Sequence, residues 1–332
     1  MAVILTVDVA AWHRQLDETA ARLSDGCRLL PVTKGNGYGF GRARLVAAAS
    51  RLGCADVAVG TVHELDAIVG TNVRAFVLTP IVDGLDAARL VATPNAVPTV
   101  GSRHHIDVLH DTGWRGPVVV KLASSMRRYG VDPDGLAELV DAVVSNGWRV
   151  EAYALHLPLP ATNADARTAN LDEAHRWLAH LPHDAVLHVS HLTPDELAVL
   201  AGERPDLALW WRVGTALWHG ATKNTAGLHL GADVIDVRPV HAGEPAGYRA
   251  ALVPVGGHLV MIGAGTANGV HPLADGRSPF HFEQHRLALL EPPHMHTSMV
   301  VVPDGDPCPT VGDLVDVQRP LTQTWVDRLV ER

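Results

Sequence analysis

A single lysine stands in a run of alternating glycines. Residues 31–41 read PVTKGNGYGFG, with Lys34 closing an apolar, β-branched segment and Tyr38 inside the glycines. An amine on such a turn has the chemistry of a covalent anchor or a base, and glycines let backbone pass close to a bound group. The spacing excludes both common nucleotide cradles: a P-loop places its lysine after the glycines and before Ser/Thr, and the dinucleotide fingerprint reads GxGxxG. Other reactive groups follow short apolar runs further on: Arg128 in SSMRRYG lies just beyond one, while His156 in ALHLP, Ser190 and His191 in HVSHL, and Arg212 in WWRVGT stand at the ends of theirs, with Gly214 and Thr215 next. Each has a plain structural reading, as a solvated surface lysine or arginine, or a hydrogen-bonded core histidine. Arg212 resists it, because an arginine inside an apolar strand is seldom without a specific partner.

The elements that must position these groups follow from patterning. Short β-branched runs at 28–33, 56–60, 74–79, 96–100, 117–122, 149–156, 184–190 and 208–212 alternate with helix-period segments such as GRARLVAAASRLG, DPDGLAELVDAVVSNG and NADARTANLDEAHRWLAHL. The last opens with an Asn/Asp cap signal. Eight βα units predict an α/β fold, a closed (β/α)8 TIM-type barrel, whose chemistry belongs at the carboxyl ends of its strands. Lys34, Arg128, His156, Ser190, His191 and Arg212 all fall there and converge on one mouth. Gly214 and Thr215 offer backbone N–H groups and a hydroxyl where such barrels bind phosphate. An amine, a phosphate anchor and an arginine aimed at a ring nitrogen are together what pyridoxal 5′-phosphate (PLP) requires.

After Gly220 the texture changes to strand-length apolar runs broken by Gly and Pro, as in GADVIDVRPVHAGEPAGYRAALVPVGGHLVMIGAG. This predicts a barrel domain over residues 1–225 followed by a smaller, mainly β domain over 226–332. The 332 residues carry a formal net charge of −9 with no basic run, which speaks against nucleic-acid and acidic-membrane partners. No apolar stretch reaches the roughly 18 residues that span a bilayer. Three scattered cysteines, Cys27, Cys54 and Cys308, and an N-terminus without a basic leader point to a cytoplasmic protein.

With these motifs in view, the chain resembles the alanine racemase family of fold-type III PLP enzymes. VTKGNGYGFG is similar to the family's cofactor-lysine motif, which implies Lys34 as the Schiff-base lysine and Tyr38 as a phosphate contact. VVVKLASSMRRYG is similar to the segment that carries an often carbamylated lysine and a substrate-directed arginine, here Lys121 and Arg128. LHLP and WRVGTALWHG match the segments that give His156, an Arg212 facing the pyridine nitrogen, and Gly214 and Thr215 near phosphate. The likeness continues through HAGEPAGYRA and IGAGTANGVHP, and implies a homodimer acting on a small amino-acid substrate. It also shows departures. Thr266 stands where the family carries the tyrosine that is its second base, and Ala123, Ser124 and Ser125 replace Asp-Thr-Gly. The family's C-terminal tyrosine contact to phosphate has no counterpart, leaving Ser190 or Thr193 for that anchor.

The expected activity is therefore PLP-dependent racemisation or epimerisation at the α-carbon of a small amino acid. Lys34 serves one face and Arg128 the substrate. On the other face an aliphatic hydroxyl such as that of Thr266 is too weak an acid, so His156 or a water must supply the proton. A PLP-dependent lyase, a D-hydroxyamino-acid dehydratase or aldolase assisted by metal, is the alternative. Its motive is His294 and His296 in EPPHMHTSM, which on a strand would share one face. No resident metal is expected on the leading reading. A PLP-binding homologue without turnover is the third.

Overall fold

The computed structural model describes residues 2–159, 164–220 and 227–332. Among these, residues 15–37 and 42–220 form one compact unit, and 2–14, 38–41 and 227–332 form another. The expected domain boundary between 225 and 226, and the cap signal at Asn163, lie outside the described residues.

In chain order the strands are β1 (Val3–Val7), β2 (Cys27–Pro31), β3 (Asp56–Val59), β4 (Arg74–Val77), β5 (Ala96–Val100), β6 (Val118–Lys121), β7 (Val150–His156), β8 (Val186–Ser190), β9 (Ala208–Val213) and β10 (Leu228–Val240). The helices are α1 (Val9–Ala21), α2 (Arg42–Arg51), α3 (Gly84–Val91), α4 (Arg103–Asp111), α5 (Pro133–Ser145), α6 (Ala164–Leu178), α7 (Pro194–Glu203) and the one-turn α8 (Thr215–Trp218). Between β3 and β4 the connection is a 3-10 helix, Val62–Ile68, rather than an α-helix.

In the first unit β2 to β9 form one eight-stranded sheet of order β2-β9-β8-β7-β6-β5-β4-β3. Its neighbours are parallel throughout. The ring closes between β2 and β3 by one bridge, Val32 to Ala58, with the Thr33 N–H donating to the Ala58 carbonyl at 2.8 Å. All eight expected strands are present, because a parallel sheet covered on its outer face and filled inside must be apolar on both sides. Val118, Val119 and Val120 of β6 are all buried, as are all five residues of β5. Helix ends follow their local signals: Thr193 and Glu196 form a capping box with Pro194 opening α7.

In the second unit the long strand β10 is central. It pairs antiparallel with β1, with Gly257–Ile262 and with Leu314–Val317, and Ser298–Pro303 extends the sheet beyond Gly257–Ile262. Val234, Val260, Ile262, Phe280, Val300 and Val315 fill its core. The chain's first strand is part of this sheet, set antiparallel to β10 with Val3 opposite Ala232, and parallel to Arg328–Glu331. Composition alone groups it with the barrel, since nothing local to VILTV announces partners at the far end of the chain.

Candidate active site

Lys34 stands three residues beyond β2, on a turn held from both sides. The carboxylate of Glu64, on the 3-10 helix, accepts the Gly35 N–H at 2.9 Å with one oxygen and the Gly60 N–H at 2.6 Å with the other. From the opposite side Arg42 of α2 donates to the Gly35 carbonyl at 2.8 Å and grips Asp66 through two contacts of 3.0 Å. Gly60 is needed for this: a Cβ there would meet the Glu64 oxygens at 3.0 and 3.2 Å and the Lys34 Cβ at 3.3 Å. Below, the indole N–H of Trp218 donates to the Val32 carbonyl at 2.7 Å.

The lysine opens into a cavity of about 520 Å³, counting its mouth, inside the barrel unit. Lys34, Lys121, Arg128 and Arg212 bring four cationic side chains to its wall, with Gly60, Leu78, Thr79, Ser124, Tyr129 and His156. This is a local reversal of the chain's negative charge, and it acts on the amines. Burial first, then Arg212 and Arg128, lower the Lys34 pKa below its ordinary value, with Glu64 pulling the other way. The Lys121 amine, on a residue 6% exposed, is lowered to about 7 by burial and the same two arginines. It donates to the carbonyls of Leu122 at 2.6 Å and Ala154 at 3.1 Å.

Arg212, 5% exposed, donates through Nη2 to His156 Nδ1 at 2.7 Å and to Ser190 Oγ at 3.2 Å. Ser190 Oγ lies 2.5 Å from the same Nδ1. A guanidinium only donates, so Nδ1 accepts, and the neutral imidazole carries its proton on Nε2. Burial, then the charge of Arg212, depress the His156 pKa to about 2. This corrects the expectation that His156 supplies a proton at neutral pH: it is a fixed neutral ring that orients Arg212. Ser190 likewise belongs to the Arg212 cluster. Thr193 is spent as the α7 cap, its Oγ1 accepting the Glu196 N–H at 3.2 Å.

Arg128 and Tyr129 lie on a loop that closes back on β6. The Val131 N–H donates to the Lys121 carbonyl, and the Ala123 N–H to the Val131 carbonyl, each at 2.9 Å. Helix α6 holds its outer side: Glu173 accepts from the N–H and Oγ of Ser125 at 2.7 and 2.6 Å, and Trp177 donates to the Ala123 carbonyl at 3.0 Å. Arg128 sits over the Tyr129 ring, 5.1 Å from its centroid, and donates to Tyr129 Oη at 3.3 Å.

Lys34, Arg128, His156 and Arg212 thus meet on one cavity, with Ser190 immediately behind His156 and Arg212. Gly214 and Thr215 begin α8 and are not among the lining residues. Tyr38 is buried in a left-handed conformation, φ 55°, and groups with the second unit, as does Thr266, exposed on a 3-10 turn where its N–H donates to the His294 carbonyl at 2.8 Å. Glu64 and Tyr129 are absent from the sequence reading. Glu64 stands in no recognisable motif, whereas Tyr129, next to Arg128, could have been found by asking which neighbours share that arginine's loop.

The metal-assisted alternative loses its motive. His294 and His296 precede the strand Ser298–Pro303 instead of lying on it, and His294 Nε2 is 2.5 Å from the Glu291 carboxylate. Among the described residues no group of three or more His, Cys, Asp or Glu side chains is placed to hold a metal ion.

Fold and site together define a β/α-barrel protein whose carboxyl-end mouth pairs a lysine amine with permanent cations. The chain belongs to the alanine racemase family: the model of that family's N-terminal domain matches residues 7–221. A catabolic alanine racemase of Mesorhizobium japonicum is 31% identical over 160 residues, 46% of this chain and 42% of that protein. The alanine racemase of Limosilactobacillus fermentum is 23% identical, and the chain spans 61% of it. That of Rhodospirillum rubrum is 25% identical over 83% of this chain and 76% of its own. The crystal structure of alanine racemase from Bartonella henselae with covalently bound pyridoxal phosphate shares the fold over the whole of both chains, with a TM-score of 0.76 and 22% identity.

Proposed function

We propose that this protein is a PLP-dependent racemase of a small amino acid, with alanine the first substrate to test. The observation that carries the reading is the Lys34 amine, its pKa lowered, in a cavity shared with Arg128 and Arg212. The donor set fits the cofactor. An amine with a lowered pKa suits its aldehyde, a buried guanidinium suits its ring nitrogen, and a second guanidinium on the same cavity suits a substrate carboxylate. Family membership, and relatives and structural neighbours described as alanine racemases, support the same conclusion.

In this reading PLP, when bound, supplies a sink for the electron pair left as the α-proton departs. Lys34 holds the cofactor and moves the proton on one face. Arg212 keeps a fixed positive charge toward the ring nitrogen, and His156 and Ser190 fix its direction. Gly214, Thr215 and Tyr38 are assigned to the phosphate and Arg128 to the substrate carboxylate. A homodimer and a cytoplasmic location complete the proposal, and no helix of the described residues is long and apolar enough to cross a membrane.

The test has two stages. Protein incubated with PLP is reduced with borohydride and mapped by mass spectrometry; the expected result is an adduct on Lys34, lost in Lys34→Ala. The loaded protein is then given D- or L-alanine in D₂O, and deuterium is expected in both enantiomers with EDTA without effect. No adduct, or exchange without inversion for every small amino acid tried, overturns the reading.

A further inference from the structure

Racemisation moves a proton on both faces of the α-carbon, so the cavity needs two groups able to take and give one. Lys34 is the first, on the function proposed above, on which this inference rests. The remaining lining groups can be sorted by chemistry. The guanidiniums of Arg128 and Arg212 stay charged at any working pH. Thr79 and Ser124 carry aliphatic hydroxyls, and Ser124 Oγ already donates to the His156 carbonyl at 2.7 Å. His156 stays neutral, with Nδ1 occupied by Arg212. The Lys121 amine is turned to the backbone, donating to the Leu122 and Ala154 carbonyls. One phenol remains.

We propose that Tyr129 is a catalytic residue, the proton carrier for the face of the α-carbon that Lys34 does not serve. A phenol is a stronger acid than an aliphatic alcohol by orders of magnitude. Its oxygen here accepts an N–H from Arg128 at 3.3 Å, so a donor already faces the oxygen that gives up the proton. Its own O–H donates to the Leu78 carbonyl at 3.2 Å, a long bond that a closer acceptor displaces. Leu78 follows β4 and Lys34 follows β2, with β3 between them, so the two groups meet the same space from two sectors of the rim. The closed loop from Leu122 to Val131 fixes the ring's origin.

The step balances. The α C–H bond breaks as its proton passes to Lys34 Nζ, and a new α C–H bond forms on the opposite face with the proton from Tyr129 Oη, the electron pair being what the cofactor, when bound, would take up in between. Lys34 ends protonated and Tyr129 ionised. Turnover from the other enantiomer, or exchange with water, resets both.

Tyr129→Phe in the PLP-loaded protein tests this. The expected result is an unchanged Lys34 adduct and absorbance, and racemisation slower by at least about 10²-fold, the usual scale of a lost general acid. One alanine enantiomer should still take up deuterium through Lys34 without inversion, and the other should take up none. A second measurement uses the native side chain. Nitration by tetranitromethane, mapped by mass spectrometry, should be slowed severalfold at Tyr129 by PLP and alanine but not at Tyr248, which is 87% exposed. Racemisation by Tyr129→Phe within threefold of the wild type, equal loss of exchange from both enantiomers, or unprotected nitration overturns the assignment. A wild type that forms no Lys34 adduct instead overturns the function itself.

Discussion

Arg212 Nη2 donates to His156 Nδ1 across 2.7 Å, so the ring that faces the cavity is a donor through Nε2 and never an acid in the ordinary pH range. Replacing Arg212 by Met removes the second cause of the depressed histidine pKa while leaving the first, burial. The imidazole should then protonate at a higher pH than in the wild type, by NMR of labelled histidine. Activity should fall by about 10²-fold or more, as when a positioned charge is taken from a site.

Glu64 is the anionic counterweight to Lys34 and also its backbone clamp. In Glu64→Gln one oxygen still accepts an N–H, but the amide NH₂ faces the other donor. The Lys34 amine also loses the one influence that raises its pKa. The pH at which PLP attaches should move lower, read from bound-cofactor absorbance across a titration. Glu64→Ala, leaving the half-buried Gly60 N–H without its acceptor while water takes over at the exposed Gly35, should cost about 1 kcal/mol in denaturant unfolding.

His188 lies fully inside the barrel, its ring stacked on Trp210 and edge-on to Phe76. Burial and then Arg212 depress its pKa to about 3, so the unfolded chain binds this proton first as pH falls. Stability from this residue is complete above pH 6.5 and should decline at about 1.4 kcal/mol per pH unit below it. Denaturant titrations at pH 7, 6 and 5 give the slope, and His188→Leu should reduce it by one proton's worth.

Lys121 acts in a different window with the same sign. Its folded pKa of about 7 lies below the unfolded 10.5, so between those values the unfolded chain holds more protons and stability rises with pH. Lys121→Met should flatten the rise between pH 7.5 and 9.5, measured by the same unfolding titration.

The barrel was legible because each buried parallel strand advertises itself: VVVK and AVPTV need no partner to be recognised. Lys34, His156 and Arg212 were legible because each stands at the end of such a run, and Arg128 because it lies on the loop just after one. What stayed hidden depends on distance in the chain. β1 is defined by β10 and Arg328–Glu331, and Glu64 is defined by two backbone N–H groups on separate strand ends. The protonation state of His156 is set first by its burial and then by an arginine far along the chain, so residue type alone misassigns it.

The seam between β2 and β3, a single bridge where other neighbours share ladders, ends beside the lysine. A cylinder with one such joint rests that closure on the Thr33 N–H, and this amide should exchange with deuterium earlier than those held in the ladders of the wall. A molecule linked to Lys34 and resting on the far rim would act as a rivet there. Cofactor loss would then be felt first as breathing along one line of the barrel.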